Sequence, residues 1–210
     1  AYDGEALAAA GVQDIKDLIS IAPGLMVTST QSETITTARI RGVGTVGDNF
    51  GLESSVGVYI DGVFRSRNGV GFGDLGEIER IEVLRGPQGT LFGKNTSAGV
   101  LNVITVGPEF EYGGNAELQV GDYGHQRIAG AITGPLIDDV LAFRLFAADG
   151  RRNGFTDLIV EQGGTLQVED SETRNFTTFR GQLLFTPSPT VEARIIADST
   201  TRDEVCCSAV

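Results

Sequence analysis

The chain has 210 residues, of which 40% are hydrophobic and 21% charged, and a net charge of −12. That balance excludes a disordered chain and a helical membrane bundle, and its sign argues against nucleic acid as a partner, because nucleic-acid binders carry a basic footprint. No run approaches the roughly 20 apolar residues of a spanning helix, which leaves open a β-barrel, whose strands are short and alternating.

The sequence starts at Ala1 without an initiator Met and stops at Val210 inside a polar segment. It reads as a piece of a longer precursor. In "VQDIKDLIS", Val12, Ile15, Leu18 and Ile19 fall on one face of a helix, which Ala22-Pro23-Gly24 stops. "ITTARI" (35–40) and "VGVYIDGVF" (56–64) are β-rich. Between them, "RGVGTVG" (41–47) carries Gly42-x-Gly44-x-x-Gly47, and Asp61 follows Gly42 by 19 residues, the spacing of a dinucleotide site. Such a site needs a helix directly after the glycines. Here only Asp48–Ser55 follows, eight residues with another glycine and no apolar stripe, so no nucleotide or other cofactor is expected. The glycines suit a loop that needs positive φ. That loop, Thr45-Val46-Gly47-Asp48-Asn49, could present N–H groups and the side chains of Thr45, Asp48 and Asn49 to a ligand, or be a plain surface turn.

A second candidate loop follows "YIDG" and reads Phe64-Arg65-Ser66-Arg67-Asn68. An aromatic ring and two arginines could stack on and charge-pair with an anionic chelate or a polyhydroxylated solute; a solvated turn is the alternative. In "GDLGEIER", Asp74 and Glu77 have the spacing of a capping box at a helix start. "IEVLRG" (81–86) is a strand, Pro87 suits the first position of a helix in "PQGTLFG", and "AGVLNVITV" (98–106) is a closing strand. Residues 1–107 are therefore expected to form an α+β domain.

Residues 108–210 change period. Leu141, Phe143, Leu145 and Ala147 share a face opposite Arg144. Phe179, Leu183 and Phe185 oppose Arg180 and Gln182. Val191, Ala193, Ile195 and Ala197 oppose Glu192, Arg194 and Asp198. Period two means strands with one apolar and one polar face. "GPLIDD" (134–139) and "TPSPT" (186–190) read as tight turns, and roughly 153–175 as a long polar loop. Short turns alternating with long loops, and strands of about ten residues, fit antiparallel strands of a transmembrane barrel better than a sandwich. About five strands are expected, too few to close.

His125, the single histidine, sits at a strand turn and makes no metal site alone. Cys206 and Cys207 are adjacent; a loop disulfide and a free reactive pair are both open readings. No nucleophile–base pair is visible, so the chain is not expected to be an enzyme.

Three blocks, "ARIRGVG", "SVGVYIDGVF" and "LGEIERIEVLRGPQGTLFGKNTSAGVLNVIT", with "AYDGEAL" and "GVQDIKDLISIAPGLMV" upstream, resemble the plug domain of TonB-dependent outer-membrane receptors. The remainder is similar to the first strands of that family's barrel. The resemblance implies a plug in the lumen of a roughly 22-stranded barrel in the bacterial outer membrane. It implies two partners besides lipid: an extracellular ligand, above all an iron–siderophore complex, and TonB, engaged through a segment before Ala1. Saccharide or cobalamin import, and a signalling receptor of the same architecture, are the alternatives. It also assigns Arg41 in "IRG" and Arg85 in "LRG" to a plug–barrel lock with barrel glutamates beyond Val210.

Overall fold

The computed structural model of the protein describes residues 1–12, 15–30, 32–45, 53–66, 76–162, 165–171 and 173–205. They fall into two units, Ala1–Val106 and Gly107–Ser208.

The first unit opens with β1 (Tyr2–Asp3) and α1 (Gly4–Ala9). Asp3 caps α1: its Oδ1 accepts the Ala6 N–H at 2.8 Å, satisfying a donor that the first turn leaves open. The helix ends in a Schellman motif. Gly11 has φ 70°, its N–H donates to Ala8 O at 3.0 Å, and the Val12 N–H donates to Leu7 O at 2.9 Å. Leu7 and Val12 then join the core. The helix expected over 12–20 is only a 3-10 helix, Asp17–Ser20. Ile15 and Leu18 are buried as the periodicity requires, but Ile19 is exposed. One short turn seats both buried residues, and no side chain caps its start.

Three antiparallel strands follow: β2 (Leu25–Thr30), β3 (Ser32–Ile40) and β4 (Val43–Gly44). A second sheet contains β5 (Val56–Ile60), β6 (Val63–Phe64), β7 (Ile78–Arg85) and β8 (Gly99–Thr105), in the order β1-β7-β8-β5-β6. β5 runs parallel to β8, and the other pairs are antiparallel. β5 is buried at every position, as a central strand covered on both faces should be. Of the helix start expected at Asp74 and Glu77, Asp74 lies outside the described residues, and no helix follows Glu77: Ile78–Arg85 is one continuous strand, in which Ile81 and Val83 pack against the core. Pro87 is not the first helical residue either. The four-residue α2 (Gly89–Phe92) starts after Gln88.

Two hairpins use two-residue turns with both residues at positive φ, Arg41-Gly42 (54° and 79°) and Asp61-Gly62 (50° and 78°). This is the turn whose twist matches the flanking strands. Asp61 is also clamped by Thr105, whose N–H and Oγ1–H donate to its carboxylate at 2.9 and 2.8 Å. The acid that mimics a ribose ligand in the sequence is thus a turn clip. The helix that a nucleotide site would need falls mostly on 48–52, outside the described residues.

The second unit is built from β9 (Gly113–Val120), β10 (Gln126–Ile137), β11 (Leu141–Arg152), β12 (Thr156–Gln162), β13 (Thr165–Ser171), β14 (Arg174–Ser188) and β15 (Val191–Arg202). Five of these form an antiparallel sheet in the order β9-β10-β11-β14-β15. β10, β11 and β15 have 12 residues and β14 has 15, long enough to cross a bilayer at a tilt. The tight turns are shorter than expected: Gly134–Ile137 continues β10 and Thr186–Ser188 continues β14, and only 138–140 and 189–190 turn. The polar stretch 153–175 is not a loop: β12 and β13 pair over seven residues each as a separate hairpin. Its polarity hid a strand pattern that needs no apolar face.

The faces of the five-stranded sheet are inverted. Ile128, Ile132, Phe179 and Ile195 are 55–66% exposed, whereas Arg127, Arg144 and Gln182 are only 4–6% exposed. Thr133, Arg144 and Gln182 are register partners across β10, β11 and β14, and Arg127 pairs with Glu117 at 2.7 Å. An exposed apolar face of this extent marks a surface made for something other than water, and alternation of this sense belongs to lipid-facing barrel walls. Aromatic residues stand at both ends. Tyr112 covers Gly134, where a Cβ would strike its ring, and its hydroxyl donates to Pro135 O at 3.1 Å. At the other end the Tyr123 and Phe155 rings meet edge-on at 6.1 Å, with the Arg152 guanidinium 5.2 Å over Phe155.

Candidate functional site

One end of the first unit, where β5 and β8 begin, gathers most of the described candidate residues. Thr45 lies just after β4. Its hydroxyl donates to Glu53 O, accepts the Ser55 N–H, and lies beside Ser55 Oγ, each at 3.0 Å. The sequence reading made Thr45 a ligand donor; the structure commits its hydroxyl to closing the chain between β4 and β5.

Glu53 is exposed. Its carboxylate sits below the ordinary carboxylate pKa because the side chains of Asn95 and Lys94 bond it; Lys94 Nζ is 3.2 Å away. The connection that carries them is stiff. Gly93 N–H donates to Gly89 O at 3.0 Å, Gln88 N–H to Thr96 O at 2.9 Å, and Thr96 Oγ1 to Gly93 O at 2.7 Å. It rests on β5 at Gly57, where a Cβ would come within 2.8 Å of Thr96 Cγ2.

The second candidate group is held by aromatic packing. Phe64 is half-buried, with its ring 5.3 Å from that of Tyr59. Tyr59 meets Phe92 edge-on at 4.9 Å and donates its hydroxyl to Phe92 O. Arg65 is half-buried, its N–H donates to Val58 O at 2.8 Å, and Ser66 is exposed. Phe64 therefore anchors the segment, and Ser66 is its exposed end. Sequence reading missed Glu53, Tyr59, Phe92, Lys94 and Asn95. The Glu53–Lys94 pair spans 41 residues, a distance at which no local pattern signals contact.

Arg41 and Arg85 are both exposed. Arg41 follows Ile40, whose Cδ1 closes off the Cβ position of Gly99, and Arg85 is the register partner of Gly99. Arg41 itself is held at Gly24, whose carbonyl accepts its N–H at 2.7 Å. Val46, Gly47, Asp48, Asn49, Arg67, Asn68, Cys206 and Cys207 lie outside the described residues. Among the described residues no cluster of acids, histidines or cysteines could hold a metal ion.

Residues 1–100 match the family model described as the TonB-dependent Receptor Plug Domain. The pesticin receptor of Yersinia pestis is 32% identical over 136 residues, 64% of this chain and 20% of that receptor. The ferric-pyoverdine 358 receptor of Pseudomonas putida is 34% identical over 85 residues, 40% of this chain and 10% of that one. The crystal structure of the ferric yersiniabactin uptake receptor of Yersinia pestis superimposes with a TM-score of 0.83 at 26% identity, covering 94% of this chain and 30% of that chain. The chain thus spans no more than about a third of the length of these proteins.

Proposed function

We propose, on the premise that residues 1–100 are a TonB-dependent receptor plug domain followed by antiparallel strands of that family's barrel, that the chain belongs to an outer-membrane receptor importing a ferric siderophore. The observation that carries this reading is the inverted sheet directly after the plug, with isoleucines and phenylalanines outward and Arg127, Arg144 and Gln182 buried. Such a wall is stable in lipid and costly in water. Two of the similar proteins are named for ferric chelates, which supports a ferric complex over a saccharide or cobalamin.

In this reading Arg65 and Ser66 face the ligand and Thr45 shapes that surface; Val46–Asn49 and Arg67–Asn68, the rest of the two candidate loops, lie outside the described residues. Arg41 and Arg85 form the lock with barrel glutamates outside residues 1–210. Hydrated pairs of that kind are individually weak, which suits a contact that must be released. TonB, acting through a segment before Ala1, supplies the work.

The test is uptake of radioactive iron by cells carrying the whole receptor, offered as a panel of ferric siderophores, with and without TonB. Accumulation of one complex that requires both receptor and TonB is expected. Binding without TonB-dependent accumulation would replace import by sensing. No binding of any ferric complex would remove iron from the reading.

A further inference from the structure

The structure assigns Tyr59, Phe92, Lys94 and Asn95 a positioning role: they join the Thr45–Glu53–Ser55 group to the Phe64–Arg65 group, so that a change at one is felt at the other. The path is continuous. Thr45 ties Glu53 to Ser55 through one hydroxyl. The Glu53 carboxylate is held by Asn95 and Lys94. Two residues before Lys94, Phe92 presents a ring and a carbonyl to Tyr59. Tyr59 packs on Phe64, which precedes Arg65, itself bonded to Val58 beside Tyr59.

What makes this more than proximity is the rigidity of the middle piece. The turn from Gln88 to Thr96 is closed by its own hydrogen bonds. Asn95 holds φ 66°, and the turn cannot settle deeper because Gly57 has no room even for a Cβ. A displacement at Glu53 is therefore passed to Phe92 instead of being absorbed between them. The weak link is the exposed Lys94–Glu53 pair, 76% and 60% exposed, since such pairs are worth little alone; Asn95 is the half-buried partner beside it.

The consequence for ligand recognition rests on the reading of Arg65 and Ser66 as ligand-facing and of Thr45 as shaping that surface, but the coupling itself does not. It can be measured without a ligand, so the failure of one is distinguishable from the failure of the other. A connected path is only a spatial warrant. The experiment is hydrogen exchange at single amides of the full chain in detergent micelles, read at Ser55, at Arg65 and at Leu101 as a core control. Three variants are compared: Lys94→Ala with Asn95→Ala, Phe92→Ala, and Tyr59→Phe, which keeps both ring contacts and removes only the hydroxyl.

Coupling requires the Lys94/Asn95 variant to speed exchange at Arg65, whose N–H bonds Val58 O. It requires Phe92→Ala to speed exchange at Ser55. The expected change is about fivefold to tenfold, the scale of one aromatic pair, and smaller for Tyr59→Phe. Combining Phe92→Ala with the Lys94/Asn95 change should add less than the sum of the two. Exchange that rises only beside each substitution overturns the proposal. A rise at Leu101 equal to that at the two reporter amides also overturns it, because the effect would then be general loss of stability.

Discussion

The two units solve opposite packing problems with the same kind of strand. In the first, Val56, Val58, Leu101 and Val103 are buried. In the second, Ile128, Ile132 and Phe179 are exposed while Arg144, Arg180 and Gln182 are buried. Alternation alone says that a strand has two different faces. It does not say which one meets the protein, and that depends on the medium outside.

Leu101→Ala should break the first unit most. Leu101 is fully buried between register partners Val58 and Val83. Its truncation leaves a cavity that costs about 2–5 kcal/mol, read as a lower denaturant midpoint. Ile132→Ala should do little by the same measurement in detergent, because its side chain already faces outward. Ile132→Arg sharpens the contrast. If that face meets lipid, a charge near its middle costs about 2–4 kcal/mol in a bilayer, and folding yield into vesicles should fall while Thr186→Arg, at the strand end, is tolerated. Equal yields for the two arginines would mean that the face meets water.

Asp61 gives a smaller effect with a sharper sign. Asp61→Ala removes both acceptors of Thr105 and puts alanine at φ 50°, a loss of about 1–3 kcal/mol. Asp61→Asn keeps an acceptor for the Thr105 N–H and tolerates that backbone, so most of the stability should remain. Were Asp61 a ribose ligand instead, both substitutions would weaken nucleotide binding and leave stability alike.

Much of this was legible in the sequence, and the reasons differ by element. The strands of the second unit showed because alternation over eight or more residues has no other reading, whereas the turn read over 134–139 is only 138–140, since Gly134–Ile137 still pairs with β11. The β12–β13 hairpin stayed hidden because its residues carry too little apolar alternation. At Glu77–Arg80 a capping pattern competed with a strand, and the pairing of β7 with β8 and β1 prevailed; tertiary pairing overrides a local cap signal. In the candidate site, the sequence points to Thr45 and Phe64 as ligand residues but does not show their framework contacts with Glu53, Ser55 and Tyr59, because those partners are not marked by any local pattern.

The smallest expected effect sits at the rim of the second unit. His125 closes the turn between β9 and β10, where its carbonyl accepts the Gly121 N–H at 2.9 Å. Its pKa is held below the ordinary 6.5 by burial first, then by Arg174, Arg152 and Arg127. The neutral ring is therefore the form that the folded rim prefers. Its contribution to stability is complete above the unfolded value and is lost as pH falls from there through the lower folded value. Asp122 lies in the same turn, and Glu117 pairs with Arg127. His125→Gln should flatten the stability profile between pH 7 and 5, while Leu101→Ala lowers the whole profile without changing its slope. A His125→Gln profile that keeps the wild-type slope would place the acid sensitivity on carboxylates instead.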